Sequence, residues 1–392
     1  MLVLICEKLL MGLSLFAREK VYRTVRVRHD GRSPPSRIGS PPVIGRRPGF
    51  LNPGPEPLWP LWARDAGAPL LVRCLRCIYA RPVWSPNRKA FRSLSSVPLA
   101  HFLRSPAMQF VASYPKSGNT WVRLVAAAYT LSDEELMNAL KYPTASADLP
   151  ATLQYTDVER YQYQTISPFP LSQISFPVEV RLRPAAMLVL NREKNLTTSQ
   201  RPALIKSHHI HGEVNNIDLW NGQWVEHVVN PIRDPREICC SFAAHRDMDY
   251  EETAEFMNDS QARMGEENER VESLLTTWST HVRSWQNAGE LPVHTVRYED
   301  LQANPVAEFY DILDFLEVPD LTEERVEDAV ERTRFERMQA MEAEHGFHER
   351  TADQAQFFRS GETDGWKDEL PTDVARKIEK DHGDVMEQFG YL

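Results

Sequence analysis

Ser113-Tyr-Pro-Lys-Ser-Gly-Asn-Thr-Trp121 decides how the rest of the chain is read. Gln109-Phe-Val-Ala112 leads into it, and Trp121-Val-Arg-Leu-Val-Ala-Ala-Ala-Tyr129 follows. The spacing predicts a short strand over 109–114, a tight turn, and a helix over 119–131. The first run is short and β-favouring, Gly118 tolerates backbone angles that other residues avoid, and the alanine run is a strong helix former. Such a turn gathers free backbone N–H groups and the positive end of a helix dipole at one spot. Lys116 adds a full charge, and Ser117 and Thr120 add hydroxyls. The chemistry suits a phosphate-like anion. The common nucleotide loop places its lysine after the second glycine; here Lys116 precedes Gly118, so ATP or GTP does not follow from it.

Charge is unevenly distributed. Residues 1–107 hold 18 Lys and Arg against 5 Asp and Glu, whereas the remaining 285 residues hold 27 against 50. An acidic domain of this kind is no general nucleic-acid binder, so an anionic ligand needs a local basic pocket. Residues 1–107 also carry 14 of the 28 prolines. They sustain no helical or strand period and are expected to form a disordered extension. Their arginine-rich, acid-poor composition has the character of an organelle transit peptide; a start of translation at Met108 is the simpler expectation. The first sixteen residues are apolar but interrupted by Glu7 and Lys8, so no membrane span is expected. Five cysteines do not make a disulfide framework at this length. Cys74-Leu-Arg-Cys77 lacks a second pair for zinc, and Cys239 and Cys240 read as small buried helix residues.

From Met108 onward the pattern is globular. Residues 132–200 are interrupted by Pro143, Pro150, Pro168, Pro170, Pro177 and Pro184, and read as loops over a substrate pocket. Strands are expected at 203–208, 225–232 and 292–297. Asp234-Pro235 is a helix start with proline at the first helical position. A helix is expected at 269–287, a helix from Asn304-Pro305 through Phe315, charged helices over 322–345, and a closing helix at 371–389. Tyr298-Glu-Asp-Leu301 reads as a cap or turn, and Arg236 as a solvated helix residue. Strands alternating with helices imply a mostly parallel sheet, whose ligands sit at the strands' carboxyl ends. Lys116, Lys206, His208 and Arg233 each follow an expected strand, which gathers four basic side chains on one sheet edge.

Several motifs, in order from about residue 108 to 370, resemble the sulfotransferases that use 3′-phosphoadenosine 5′-phosphosulfate (PAPS), especially the soluble cytosolic type. Tyr114-Pro-Lys-Ser-Gly-Asn-Thr-Trp121 looks like the family's Y-P-K-S-G-T-T-W loop for the 5′-phosphosulfate. Lys206-Ser-His208 is similar to K-T-H, whose histidine is the catalytic base. Arg233 and Ser241, eight apart, match the pair that grips the 3′-phosphate. Arg297-Tyr-Glu-Asp-Leu301 resembles R-Y-E-D-L, with Tyr298 near the adenine. Arg359-Ser360-Gly361 and Trp366-Lys367 resemble the final R-K-G-x-x-G-D-W-K motif.

The resemblance implies an α/β, P-loop-like three-layer fold over 108–392, with a mostly parallel central sheet flanked by helices. It implies sulfuryl transfer to a small-molecule hydroxyl or, less favoured, an amine, in the cytoplasm and without a metal. His208 would take the acceptor proton, with Lys116 and Lys206 stabilising developing charge and Ser241 restraining Lys116. PAPS would be held by Lys116, Ser117, Gly118, Asn119, Thr120, Trp121, Arg233, Ser241, Tyr298, Arg359, Ser360 and Gly361. Asn119 stands where the family has threonine, Ser360 where it has lysine, and Asp364-Gly365 reverses the family's order. The family's dimerisation motif is not recognisable after Lys367, which leaves the oligomeric state unassigned. Two other functions compete: a kinase of related fold, disfavoured by the lysine's place, and a scaffold that kept the fold but lost catalysis. His208, His209 and His211 lack a carboxylate or cysteine to complete a metal set, and His281 reads as a packed helix residue.

Overall fold

A computed structural model describes residues 108–141, 149–194, 203–265, 271–350 and 356–392. The expectations for residues 1–107 lie outside the described residues. Five parallel strands form the central sheet: β1 (Met108–Ala112), β2 (Tyr155–Thr156), β3 (Leu204–Ser207), β4 (Val225–Ile232) and β5 (Val293–Arg297), in the order β2-β3-β1-β4-β5. Period-2 alternation splits their side chains between two faces. Val111, Leu204, Val229 and Val296 enter one apolar cluster, and Phe110, Ile205 and Val228 enter another on the opposite side. Both faces are therefore covered, as a parallel sheet requires.

The helices follow in chain order. The first five are α1 (Asn119–Thr130), α2 (Asp133–Lys141), α3 (Ala151–Gln154), α4 (Arg160–Ile166) and α5 (Phe176–Lys194). Next come α6 (Pro235–Arg246), α7 (Tyr250–Met257), α8 (Trp278–Gln286), α9 (Tyr298–Ala303) and α10 (Pro305–Phe315). The chain closes with α11 (Glu323–Arg332), α12 (Phe335–His345), α13 (Trp366–Glu369) and α14 (Thr372–Gln388). Antiparallel ribbons pair Glu213–Val214 with Ile217–Asp218, and Arg263–Met264 with Ser273–Leu274.

Three sequence expectations are corrected here. The described part of 132–200 is mainly helical. Pro150 caps α3 and Pro177 lies in the first turn of α5, positions where a missing N–H costs nothing. Pro184 lies inside α5, beside a buried Arg183–Asp157 pair at 2.7 Å. The helix expected at 269–287 begins only at Trp278, because Ser273–Leu274 is spent on a ribbon and Thr277 caps α8 through Thr280 N. Tyr298–Leu301 is helical: the four residues open α9.

Asp234 caps α6 as its sequence predicts, accepting from Arg236 N at 2.8 Å with Pro235 at the first helical position. Arg236 is not solvated. It is 6% exposed, paired to Asp234 at 2.7 Å and Glu379 at 2.7 Å, and it donates to the Tyr391 carbonyl at 2.6 Å. The cap and the ion pair thus share one carboxylate. We expect Asp234→Ala to cost about 2 kcal/mol in urea denaturation, and Asp234→Asn, which can still cap, distinctly less.

Pro231 sits in a central strand, where proline is normally excluded. It is tolerated because β1 pairs β4 only as far as Val229, so at Pro231 the ladder has one side, toward Val296 of β5. Beyond that point Asn230 Nδ2 donates to the Ala112 carbonyl at 2.7 Å and ties the ends of β1 and β4 together. The carboxyl ends of β1, β3, β4 and β5 consequently open on one edge of the sheet.

Candidate active site

That edge opens into a cavity of about 1210 Å³. Lys116, Gly118, Asn119, Thr120, Trp121, Lys206, His208, Arg233, Ser241, Tyr298, Arg359, Ser360 and Gly361 all line it. Ser117 is wholly buried, and its Oγ has no hydrogen-bond partner among the described residues. Lys206 lies within β3 rather than after it.

The β1–α1 turn is held in unusual backbone angles. Lys116 has φ 67° and Gly118 φ 103°. A Cβ on Gly118 would lie 2.9 Å from Tyr298 Cδ2. The first backbone N–H groups of α1 have no intrahelical acceptor, and Asn119, Thr120 and Trp121, which carry them, line the cavity. The Asn119 side chain is turned away from an incoming anion. Its Nδ2 donates to the Val111 carbonyl at 2.8 Å and Ser113 Oγ at 3.3 Å, so it braces the strand end. What Asn119 offers a ligand is its backbone.

The Lys116 ammonium stands 4.6 Å from the Phe357 ring centroid. Burial pushes its pKa down to about 8, helped by the charge of Lys206. On the opposite side, His208 Nδ1 lies 2.8 Å from the Ser113 carbonyl. A carbonyl only accepts, so Nδ1 carries the proton and Nε2 keeps its lone pair. Burial, then Lys206, hold His208 well below the usual histidine value. His281 is packed, as expected: its Nε2 donates to the His208 carbonyl at 3.3 Å, and Tyr114 meets it edge-on at 5.4 Å.

Arg233 stacks 4.3 Å from the Tyr298 ring centroid and donates to the carbonyls of Lys116 at 3.3 Å and Glu362 at 2.5 Å. Arg359 Nη1 bonds both oxygens of Glu369 at 2.7 Å. The Nε atoms of Arg233 and Arg359 are buried donors without a partner among the described residues. Tyr298 is fixed by its hydroxyl on the Gly361 carbonyl at 3.1 Å, and Trp121 packs edge-on against it at 5.8 Å. Gly361 has φ 68°, and a Cβ there would lie 2.6 Å from Phe335. Trp366 sits elsewhere, with Arg236 3.9 Å from its ring centroid, and Lys367 pairs with Asp364 at 2.7 Å.

Two polar residues at the site escaped the sequence reading. Glu349 is paired to Lys206 at 3.0 Å and to Arg123 at 2.8 Å, and accepts from Thr120 Oγ1 at 2.7 Å. Arg123 carried a signal, being a lone charge in an otherwise apolar helix; Glu349 carried none. The two histidines beside His208 in sequence are packed: His209 Nδ1 accepts from Leu274 N at 3.2 Å, and His211 packs against Trp285 at 5.4 Å. Among the described residues no group of three His, Cys, Asp or Glu side chains is arranged to hold a metal. Cys239 and Cys240 are buried in α6, with burial raising the Cys239 thiol to about 12. No described helix is long and apolar enough to cross a membrane.

The β1–α1 turn with Lys116 and the arginines Arg233 and Arg359 put basic groups at the carboxyl edge of one parallel sheet. The family model described as "Sulfotransferase domain" matches residues 107–390, most of the chain, and the protein belongs to the PAPS-dependent sulfotransferase family. Among solved structures, it is similar to a retinol dehydratase in complex with androsterone and the inactive cofactor PAP, at 18% identity over 72% of this chain and 81% of that one, TM-score 0.45. It is similar also to a retinol dehydratase with retinol and PAP, at 20% identity over the same shares, TM-score 0.45. A mouse sulfotransferase, SULT7A1, complexed with PAP matches at 16% identity over 70% and 83%, TM-score 0.43.

Proposed function

We propose that this enzyme moves a sulfuryl group from PAPS to the hydroxyl of a small molecule, with His208 as general base. The observation that carries the reading is the tautomer of His208, whose Nδ1–H is spent on the Ser113 carbonyl while its Nε2 stays basic on the wall of a cavity lined by Lys116 and Lys206.

The residues present fit a donor anionic at both ends. Ser117 Oγ and the Nε atoms of Arg233 and Arg359 are buried polar atoms lacking partners among the described residues, which is costly unless a ligand satisfies them. A carboxylate, that of Glu349, already rests on Thr120 and Lys206, so the turn tolerates an anion. Lys116, Ser117 and the first-turn N–H groups of α1 would hold the 5′ side. Arg233, Ser241 and Arg359 would hold the 3′-phosphate, arginine being suited to paired bonds with phosphate. Trp121 and Tyr298 would flank the base, and Ser360 and Gly361 close over it.

When bound, PAPS supplies the sulfuryl group and departs as adenosine 3′,5′-bisphosphate. His208 Nε2 accepts the acceptor's hydroxyl proton as the new S–O bond forms. Lys116 and Lys206 offset the charge that collects on the breaking S–O bond and the sulfuryl oxygens. Ser241 restrains Lys116 until the acceptor arrives.

Apolar side chains on the cavity wall support a hydroxyl borne on an apolar body: Val158 and Val271, joined by a Val271 N to Val158 carbonyl bond at 3.0 Å, line the same cavity as His208. A protonated amine would meet two lysines there. Titration with adenosine 3′,5′-bisphosphate, followed by PAPS-dependent sulfation of phenols and alcohols, tests the reading. Failure to bind the nucleotide sinks it, and binding without turnover favours a scaffold. We also expect nucleotide affinity to fall as pH rises through about 8, where Lys116 loses its charge; calorimetry across that range checks it.

A further inference from the structure

The reaction scheme leaves Glu349 unused, although its side chain is only 8% exposed and lines the same cavity. An acidic group beside an anionic donor needs a reason. Its Oε1 takes Arg123 Nη1 at 2.8 Å, with His348 Nε2 at 3.8 Å. Its Oε2 takes Lys206 Nζ at 3.0 Å and Thr120 Oγ1 at 2.7 Å. Arg123 itself is immobilised, its side chain 1% exposed, with Nε on the Thr152 carbonyl at 2.9 Å and Nη2 on the Leu153 carbonyl at 2.7 Å. The chain of contacts therefore runs from rigid backbone, through Arg123 and Glu349, to two groups assigned to the reacting end. Buried ion pairs recover little net stability, because desolvating the charges costs several kcal/mol each. Stability alone does not explain this network.

We propose that Glu349 is a positioning residue for sulfuryl transfer: tethered by Arg123, it aims Lys206 and Thr120 at the transferred group. The inference rests on the sulfotransferase reading above. The charged groups facing Lys116 are Lys206, Arg233 and Arg359, all positive, and Glu349, which alone of these opposes the loss of its proton. Lys206, Arg123 and His348 together hold Glu349 well below the usual carboxylate range in spite of its burial. It therefore stays charged wherever the lysines must act.

Wild type, Glu349→Gln and Glu349→Asp are compared by calorimetric binding of adenosine 3′,5′-bisphosphate at pH values on both sides of Lys116's titration, and by kcat and KM for sulfation of a phenol. Removing the charge in Glu349→Gln should move the fall in nucleotide affinity to lower pH and cut kcat on the order of 100-fold, the scale of a small misplacement, with acceptor KM little changed. Glu349→Asp keeps the charge but draws it back, so the binding profile should return while kcat stays low. In a Lys206→Met background, Glu349→Gln should then cost little more, the non-additivity expected of residues acting through one another. Should Glu349→Gln fail to fold, the Asp variant carries the test, since wild-type kcat in it overturns the aiming role. The proposal is also overturned if Glu349→Gln keeps the wild-type profile and kcat, or if it binds nucleotide more tightly and turns over faster, which would make Glu349 only an obstruction. A wild-type protein that binds no nucleotide fails the sulfotransferase reading instead, a result distinct from each of these.

Discussion

His208→Ala should lower kcat for sulfuryl transfer by roughly 10²–10⁴-fold, the usual worth of a positioned general base, while affinity for adenosine 3′,5′-bisphosphate should stay within a few-fold of wild type. The separation follows from where the ring sits. Its Nδ1 is committed to the Ser113 carbonyl, and Lys116, Arg233 and Arg359, the groups proposed to hold the donor, come from other segments. Burial and the neighbouring Lys206 hold the imidazole well below its ordinary 6.5. With the neutral ring as the proposed base, lowering pH through 6.5 should not switch the enzyme off; the acid limb of kcat should lie below that. Single-turnover assays with wild type and variant, paired with calorimetry, measure both halves. Normal turnover in His208→Ala would remove the base assignment, and a matching loss of nucleotide affinity would place the ring in the donor site.

The strands and the β1–α1 turn were legible because their signals are local. Short apolar runs that lead toward Lys116, contain Lys206 or stop just before Arg233 carry both the element and its charge in a few residues, and Asp234-Pro235 announces its helix in two. The region 132–200 was misread for an equally physical reason. Proline breaks a helix in its interior but serves at its start, and Pro150 and Pro177 serve there; sequence alone does not say which side of the boundary a proline occupies. Arg236 looked solvated because its partners Glu379 and Tyr391 lie about 150 residues away, with separations of 143 and 155. Glu349 was invisible on the same ground, being 143 residues from Lys206 and 226 from Arg123 in a segment with no motif. Local pattern names the strand ends; only the fold says which distant carboxylate meets them.

Gly118 is where fold and chemistry are least separable. Gly118→Ala should cost about 2–4 kcal/mol of stability, combining the penalty of a side chain at positive φ with overpacking, and should weaken nucleotide binding by about 100-fold, or 2.7 kcal/mol. The backbone at φ 103° disfavours any Cβ, and the added carbon would lie 2.9 Å from Tyr298 Cδ2. Tyr298 cannot yield cheaply. Its hydroxyl is bonded to the Gly361 carbonyl, Gln302 Nε2 donates to that hydroxyl at 2.9 Å, and Arg233 lies over its ring. Displacing it disturbs Arg233 and the Gly361 segment together. Urea denaturation and nucleotide calorimetry measure the two losses. Adding Tyr298→Ala relieves the steric part alone, so the double variant should lose less stability than the two single variants summed and regain none of the affinity, because the backbone angle persists and the ring assigned to adenine is gone. Wild-type stability and binding in Gly118→Ala would mean that the turn is not held against Tyr298. Loss of affinity with stability intact would mean that the glycine serves the ligand's approach rather than the packing of the turn.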